Sequence, residues 1–191
     1  MTTDRRPAVF LDRDGTMIED VGYLNRVEDI IFYPWTIDAI RALNRGGLAV
    51  VVVTNQSAIA RGFLTEPGLA VIHDRISDAL KAGGAHVDAY YYCPHHPDGP
   101  EPAYTKTCDC RKPAPGLVER ASRDLGLDPA RSFVVGDKWV DVGLARSVGA
   151  RAILVRTGYG AGEEAAPVSG LSADAVVDNL AAAASWILST C

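Results

Sequence analysis

Two aspartates stand two positions apart in Phe10-Leu11-Asp12-Arg13-Asp14-Gly15-Thr16, just past an apolar run. A carboxylate can attack phosphorus to form an acyl phosphate, dividing one difficult hydrolysis into two easier steps. A second carboxylic acid beside it can protonate the leaving oxygen and later take a proton from water. If the chain turns at Gly15, Asp12 and Asp14 face one crevice; the plainer alternative is a solvated turn or half of a calcium loop. Three further clusters supply what phosphoryl transfer would need. Thr54-Asn55-Gln56-Ser57 offers hydroxyl and amide groups for phosphate oxygens. Arg111-Lys112-Pro113 brings a lysine to neutralise a phosphoryl group and an arginine to grip an oxyanion by two bonds. Gly136-Asp137-Lys138 ends another apolar run in an acid, with Asp141 four residues on. Asp12 and Asp137 together would suit a hard cation, which takes one or two carboxylates plus phosphate oxygens.

A second constellation is made of sulfur and imidazole. Cys93-Pro94-His95 and Cys108-Asp109-Cys110 lie twelve residues apart. Three thiolates and one imidazole make a closed tetrahedral zinc set, although the spacing within each pair is tighter than in common zinc fingers. The alternatives are isolated buried thiols, a redox role for Cys108 and Cys110, or His96 in place of His95. Cys191 ends the chain and is expected to be exposed and without function. His73 falls on the apolar side of a helical pattern and is expected to be a packed core residue, and His86 a surface one.

These groups need a scaffold. Ala8–Leu11, Leu48–Val53, Ala89–Tyr92, Ser132–Val135 and Ala152–Val155 are short and apolar almost throughout, as strands covered on both faces must be. Between them run amphipathic stretches, Thr36–Asn44, Glu66–Ala82, Pro115–Leu125 and Val140–Val148, and an Ala-rich helix over Leu180–Leu188 follows. Gly46-Gly47, Gly83-Gly84, Gly126 and Gly149 each follow a helical segment, where a left-handed cap is expected. Repeated strand–helix alternation predicts an α/β fold, a parallel sheet with helices on both faces in three layers. Asp20–Pro34 reads as a polar loop. Cys93–Pro115 has no apolar period, so a metal is the expected tether for a loop of that length.

The chain has 191 residues, 48% apolar and 23% charged, with a net charge of −5. This suits one domain over 1–191, with the zinc loop 93–110 inserted. The negative field would repel a phosphate backbone, which argues against nucleic acid. No apolar run approaches the ~18 residues that would span a bilayer, and the polar Met1–Pro7 does not read as a secretory signal. A cytoplasmic monomer with reduced thiols is expected, and four cysteines there read better as metal ligands than as disulfides.

The four motifs Asp12–Thr16, Thr54-Asn55-Gln56, Lys112-Pro113 and Gly136-Asp137 through Asp141, in that order, resemble those of the haloacid dehalogenase superfamily. The resemblance implies a Rossmann-like fold without a large cap domain. It makes Asp12 the nucleophile and Asp14 the general acid and base, with Thr54 and Lys112 stabilising the phosphoryl group. Magnesium would be held by Asp12, Asp137 and the backbone carbonyl of Asp14. With Tyr91 to Pro97, Cys108 to Pro113, Gly22-Tyr23, Val51–Ser57, Ile59 to Gly62 and Val155 to Gly158, the chain is similar to the heptose-bisphosphate phosphatases, relatives of the histidinol-phosphate phosphatases. The similarity runs from about Val9 to Gly158. That family implies hydrolysis of the C7 phosphate of D-glycero-D-manno-heptose 1,7-bisphosphate, toward nucleotide-activated heptose for surface glycans. It also implies structural zinc on Cys93, His95, Cys108 and Cys110. Substrate contacts would fall on Asp20, Val21, Gly22, Tyr23, Thr54, Asn55, Gln56, Ser57, Arg111, Lys112 and Lys138. Histidinol phosphate or another small phosphate remains an alternative substrate. Transfer of the phosphoryl group to a hydroxyl would need a lid that excludes water, and no inserted cap is legible. A decayed, zinc-stapled binding protein would require lost catalytic residues, yet Asp12, Asp14, Lys112 and Asp137 are all present.

Overall fold

The computed structural model describes residues 5–191, so Met1–Asp4 of the polar N-terminus lie outside the described residues. Six parallel strands form one sheet: β1 (Ala8–Leu11), β2 (Ala49–Asn55), β3 (Ala89–Cys93), β4 (Phe133–Gly136), β5 (Arg151–Val155) and β6 (Ala175–Val177). Their order across the sheet is β3-β2-β1-β4-β5-β6. Among the described residues seven α-helices accompany them: α1 (Thr36–Arg45), α2 (Ser57–Ala60), α3 (Glu66–Ala82), α4 (Gly116–Leu125), α5 (Trp139–Val148), α6 (Gly160–Ala165) and α7 (Leu180–Thr190).

Strand residues alternate between two cores, as the two-residue period of a strand demands. Val9, Leu11, Val50, Val52 and Val135 pack against α1, α3 and α7. Phe10, Val51, Val53 and Val134 pack against α4 and α5 on the other face. Burial on both sides explains why these strands are apolar throughout. The left-handed conformations fall on Gly126, Gly149 and the second glycine of each pair, Gly47 and Gly84.

Pairing of Asn55 with Cys93 carries β2 two residues further than its apolar run predicts. The β6 strand was not legible in the sequence, because its three residues are half-buried at the sheet edge. Neither were α2 and α6, which are too short to show a helical period. The Asp20–Pro34 loop holds one 3-10 turn, Val27–Asp29.

The connection order reverses at β1, whose neighbours are β2 and β4. Ligands of open α/β sheets bind beyond the carboxyl ends of strands at such a switch point. Asp12 follows β1, Thr54 is the second-last residue of β2, and Asp137 follows β4. The topology alone therefore gathers three of the motifs into one crevice.

Candidate active site

A cavity of about 370 Å³ opens at this switch point, lined by Asp12, Asp14, Asp20, Gly22, Thr54, Asn55, Ser57, Arg111, Lys112, Lys138 and Val140. Asp12 is largely buried, and its Oδ1 accepts the Arg13 backbone N–H at 2.8 Å. Lys112 Nζ lies 2.9 Å from the same oxygen and 2.6 Å from Asp141 Oδ1. Burial opposes the Lys112 charge, but Asp12 and Asp141 outweigh it and hold the ammonium firmly protonated. Asn55 clasps the Lys112 backbone in both directions, accepting from its N–H at 3.0 Å and donating to its carbonyl at 3.2 Å.

Asp14 reaches the cavity with both oxygens engaged. Arg13 donates to it from Nε and Nη2, and Gln56 Nε2 donates at 2.9 Å. The same Gln56 amide nitrogen donates to Thr54 Oγ1 at 2.8 Å. Gln56 is thus turned inward, away from the cavity lining. Val21 and Tyr23 are also missing from the lining but are exposed, and the Tyr23 ring rests on Phe63 with centroids 4.9 Å apart. The other substrate candidates line the cavity. Lys138 is held by Asp20 Oδ2 at 3.2 Å and lies over the Tyr159 ring at 4.3 Å.

Asp137 is fully buried under the crevice floor. Its Oδ2 accepts the Tyr159 N–H at 2.8 Å, while Oδ1 is buried with no partner among the described residues. Burial, then the charge of Asp12, pushes its carboxyl up to about 7. Burial likewise lifts Asp141 to about 6 although Lys112 pulls the other way, with the Asp12 charge adding to the rise. One oxygen from each of Asp12, Asp137 and Asp141 lies within 4.8 Å of the others. A hard-oxygen cluster with an orphaned carboxylate oxygen and a strained charge balance fits a divalent cation. Glycine is required beside it: Gly15 has φ 81°, and a Cβ there would collide with the Asp137 carboxylate. The sequence signals Asp137 and Asp141 but not the Tyr159 N–H, which is 22 residues away.

In the second constellation Cys93, His95, Cys108 and Cys110 converge within 4.8 Å, with Nδ1 as the nearest imidazole atom. The edges run from 3.3 Å (His95 to Cys110) through 3.4 and 3.5 Å (Cys108 to Cys110 and Cys93) to 3.8 Å (Cys93 to His95). A tetrahedron with bonds of about 2.3 Å has edges of about 3.8 Å, so the four atoms fit around zinc. All four cysteines are free, and Cys191 is exposed. Arg111 Nη1 donates to the His95 carbonyl at 3.0 Å, tying the cavity wall to this cluster. His96 stays outside the cluster and caps the Asp98 N–H. His73 is buried and stacked on Tyr90, and His86 is exposed, both as expected.

A Rossmann-ordered sheet with paired aspartates after its first strand and an acid after its fourth is the build of the haloacid-dehalogenase-like hydrolases. A model described as HAD-hydrolase-like matches residues 109–183, and one described as polynucleotide kinase 3 phosphatase matches residues 8–143. The D-glycero-beta-D-manno-heptose-1,7-bisphosphate 7-phosphatase of Yersinia pestis is 44% identical over 158 residues, covering 82% of this chain and 84% of its own. That of Escherichia coli (strain K12) is 42% identical over 177 residues, covering 92% and 90%. The crystal structure of the D,D-heptose 1,7-bisphosphate phosphatase from B. bronchiseptica, complexed with magnesium and phosphate, aligns with a TM-score of 0.86 at 35% identity, covering 97% and 99%. The chain belongs to the family of the D-glycero-beta-D-manno-heptose-1,7-bisphosphate 7-phosphatases, as the motif resemblance implied.

Proposed function

We propose that this chain is a phosphomonoesterase that removes the C7 phosphate of D-glycero-D-manno-heptose 1,7-bisphosphate through a phospho-aspartate on Asp12. The observation that carries the reading is the convergence of Asp12, Asp14, Thr54 and Lys112 with Arg111 and Lys138 on one cavity. Asp12 attacks phosphorus while Asp14 gives a proton to the departing sugar oxygen. Asp14 then takes a proton from water, which attacks phosphorus, releases phosphate and frees Asp12. Lys112 and Thr54 hold the equatorial oxygens, whose charge is greatest in the transition state. Lys138, Arg111, Asp20, Gly22, Asn55 and Ser57 bind the remainder of the sugar bisphosphate, with Val21 and Tyr23 at the rim.

Asp12, Asp137 and the Asp14 carbonyl would hold magnesium, which neutralises phosphate charge facing Asp12. Cys93, His95, Cys108 and Cys110 would hold zinc in a structural role, since four protein ligands leave no open position. One domain carries the activity as a monomer in the cytoplasm, where the thiols stay reduced. Among the described residues no helix is long and apolar enough to cross a membrane. A polynucleotide substrate is disfavoured by the net charge of −5.

The test is phosphate release with magnesium from four substrates: the heptose bisphosphate, histidinol phosphate, an aryl phosphate and a 3′-phosphorylated oligonucleotide. The heptose bisphosphate is expected to give the highest kcat/KM. Preference for histidinol phosphate would overturn the substrate assignment and leave the chemistry standing.

A further inference from the structure

We infer that Arg13, anchored by His73, is a positioning residue that sets the orientation of the Asp14 carboxyl group. This rests on the reading of Asp14 as general acid and base. Arg13 is 1% exposed. A buried guanidinium that serves only as a spacer between two aspartates would be left with costly unpaired donors. Instead Nε and Nη2 reach Asp14 Oδ1 at 3.1 and 2.9 Å, and Nη2 also reaches Oδ2 at 2.8 Å. Gln56 Nε2 adds a bond to Oδ2 at 2.9 Å. Nη2 has two hydrogens and also serves Gln56 Oε1, so its other hydrogen is shared between the two carboxylate oxygens, and three N–H groups hold Asp14.

The far side of Arg13 is fastened as well. Nη2 donates to Gln56 Oε1 at 3.0 Å, and Nη1 lies 3.3 Å from His73 Nε2. Burial, then the Arg13 charge, drives His73 down to about 3, so its imidazole is neutral and Nε2 is free to accept. The His73 ring is stacked on Tyr90 with centroids 4.4 Å apart, and the Tyr90 hydroxyl meets Ser77 Oγ at 3.0 Å. The chain of contacts runs from β3 and α3 through His73 and Arg13 to Asp14 at the cavity.

This arrangement fixes the plane of the carboxyl group and leaves one acceptor position for a proton. The three N–H groups keep it in place while that proton comes and goes. A planar fork suits that task. His73 and Arg13 touch neither substrate nor reacting atoms and act only through Asp14.

The test compares a sugar phosphate, whose alkoxide needs a proton to leave, with an aryl phosphate, whose phenolate does not. Arg13→Met is expected to lower kcat for the sugar phosphate about a hundredfold, as misplacement of a catalytic group does. The aryl phosphate should lose less than about fivefold, and KM should change little for either. His73→Phe keeps the stack on Tyr90 but removes the acceptor, and should give the same pattern at about tenfold. His73→Gln, which can still accept from Arg13, should restore most of the rate. A merely structural role would lower both substrates equally and would not be rescued by Gln. Equal losses in soluble, folded His73→Phe, or no loss at all, would overturn the inference. Asp14→Asn is run in parallel. If it too is unselective, the acid assignment falls along with the brace; if it is selective while the Arg13 and His73 variants are not, the brace alone falls.

Discussion

Lys112 Nζ bridges Asp12 and Asp141, 2.9 Å from one carboxylate oxygen and 2.6 Å from the other, with its side chain 2% exposed. The lysine thus serves the folded state beside its proposed role on the phosphoryl group, since Asp12, Asp137 and Asp141 would otherwise face one another unscreened. Removing one member of a buried ionic cluster costs about 3–5 kcal/mol, because the remaining charge is left uncompensated. Lys112→Met is expected to lose stability of that order in metal-free chemical denaturation. Burial already pushes the Asp141 carboxyl up to about 6. Without Lys112 it takes up protons more readily, so the loss should be larger at higher pH. A variant as stable as the parent at about pH 8 would show that Lys112 is not the counter-ion of these acids.

Asp12→Asn tests the nucleophile. The amide keeps the volume but has no charge with which to attack, so kcat should fall at least about a thousandfold. Folding should survive, because the change also removes the carboxylate that raises Asp137 and Asp141. Beryllium fluoride, which imitates an acyl phosphate, should protect the parent protein against thermal unfolding and leave the variant unaffected. Activity retained within tenfold would rule out the covalent route.

As a cation ligand, Asp137 is expected to make binding depend on pH. Its carboxyl is raised to about 7, against about 3.9 in an unfolded chain. Between those values the folded protein holds the proton more tightly. Metal-free stability therefore falls as pH rises through this window, and the full penalty is present above 7. A divalent cation must displace that proton. Magnesium affinity by calorimetry should weaken as pH drops below about 7, approaching tenfold per unit, and level off above it. The thermal shift produced by magnesium should be larger at about pH 8 than at about pH 6. Affinity flat across that range would remove Asp137 from the cation site.

Much of this site was legible in the sequence. Asp12, Asp14, Thr54, Lys112 and Asp137 lie at or just past strand ends or in the loop facing them, and strands buried on both faces announce themselves as apolar runs. The cysteine and histidine pairs were legible because a loop without an apolar period needs another tether. Arg13 was not, for residue type says nothing of burial, and an arginine between two aspartates reads as a solvated spacer. Gln56 followed a threonine and an asparagine that do reach the cavity, and its inward turn depends on where Arg13 and Asp14 sit. The support of Asp137 by the Tyr159 N–H joins segments that only the packed β4–β5 pair brings together. Such contacts carry no spacing signature.

The cysteine–histidine cluster, as a zinc site, would bear on substrate choice through one bond. Arg111 follows Cys110 directly, and its Nη1 donates to the carbonyl of His95 at 3.0 Å. Losing the metal should loosen both residues at once, because the loop's remaining ties, Tyr104 against the core and on Glu66 and the Glu101 N–H on the Ala60 carbonyl, lie away from the 108–111 end. Lys112 is better protected, since Asn55 on β2 clasps its backbone at 3.0 and 3.2 Å. The two neighbouring cations should therefore respond differently. Cys110→Ser is expected to lower zinc content and to raise KM for the heptose bisphosphate about tenfold, because the oxyanion grip of Arg111 loses its position. The kcat for a small aryl phosphate, which relies on Lys112 and does not reach Arg111, should change little. Arg111→Ala should reproduce the KM effect with zinc stoichiometry intact. The measurement is zinc by elemental analysis alongside kinetics on both substrates. Were Cys110→Ser to lower kcat for both substrates equally while Arg111→Ala did not, the staple would be holding Lys112 as well, and the Asn55 clasp would be too weak to act alone.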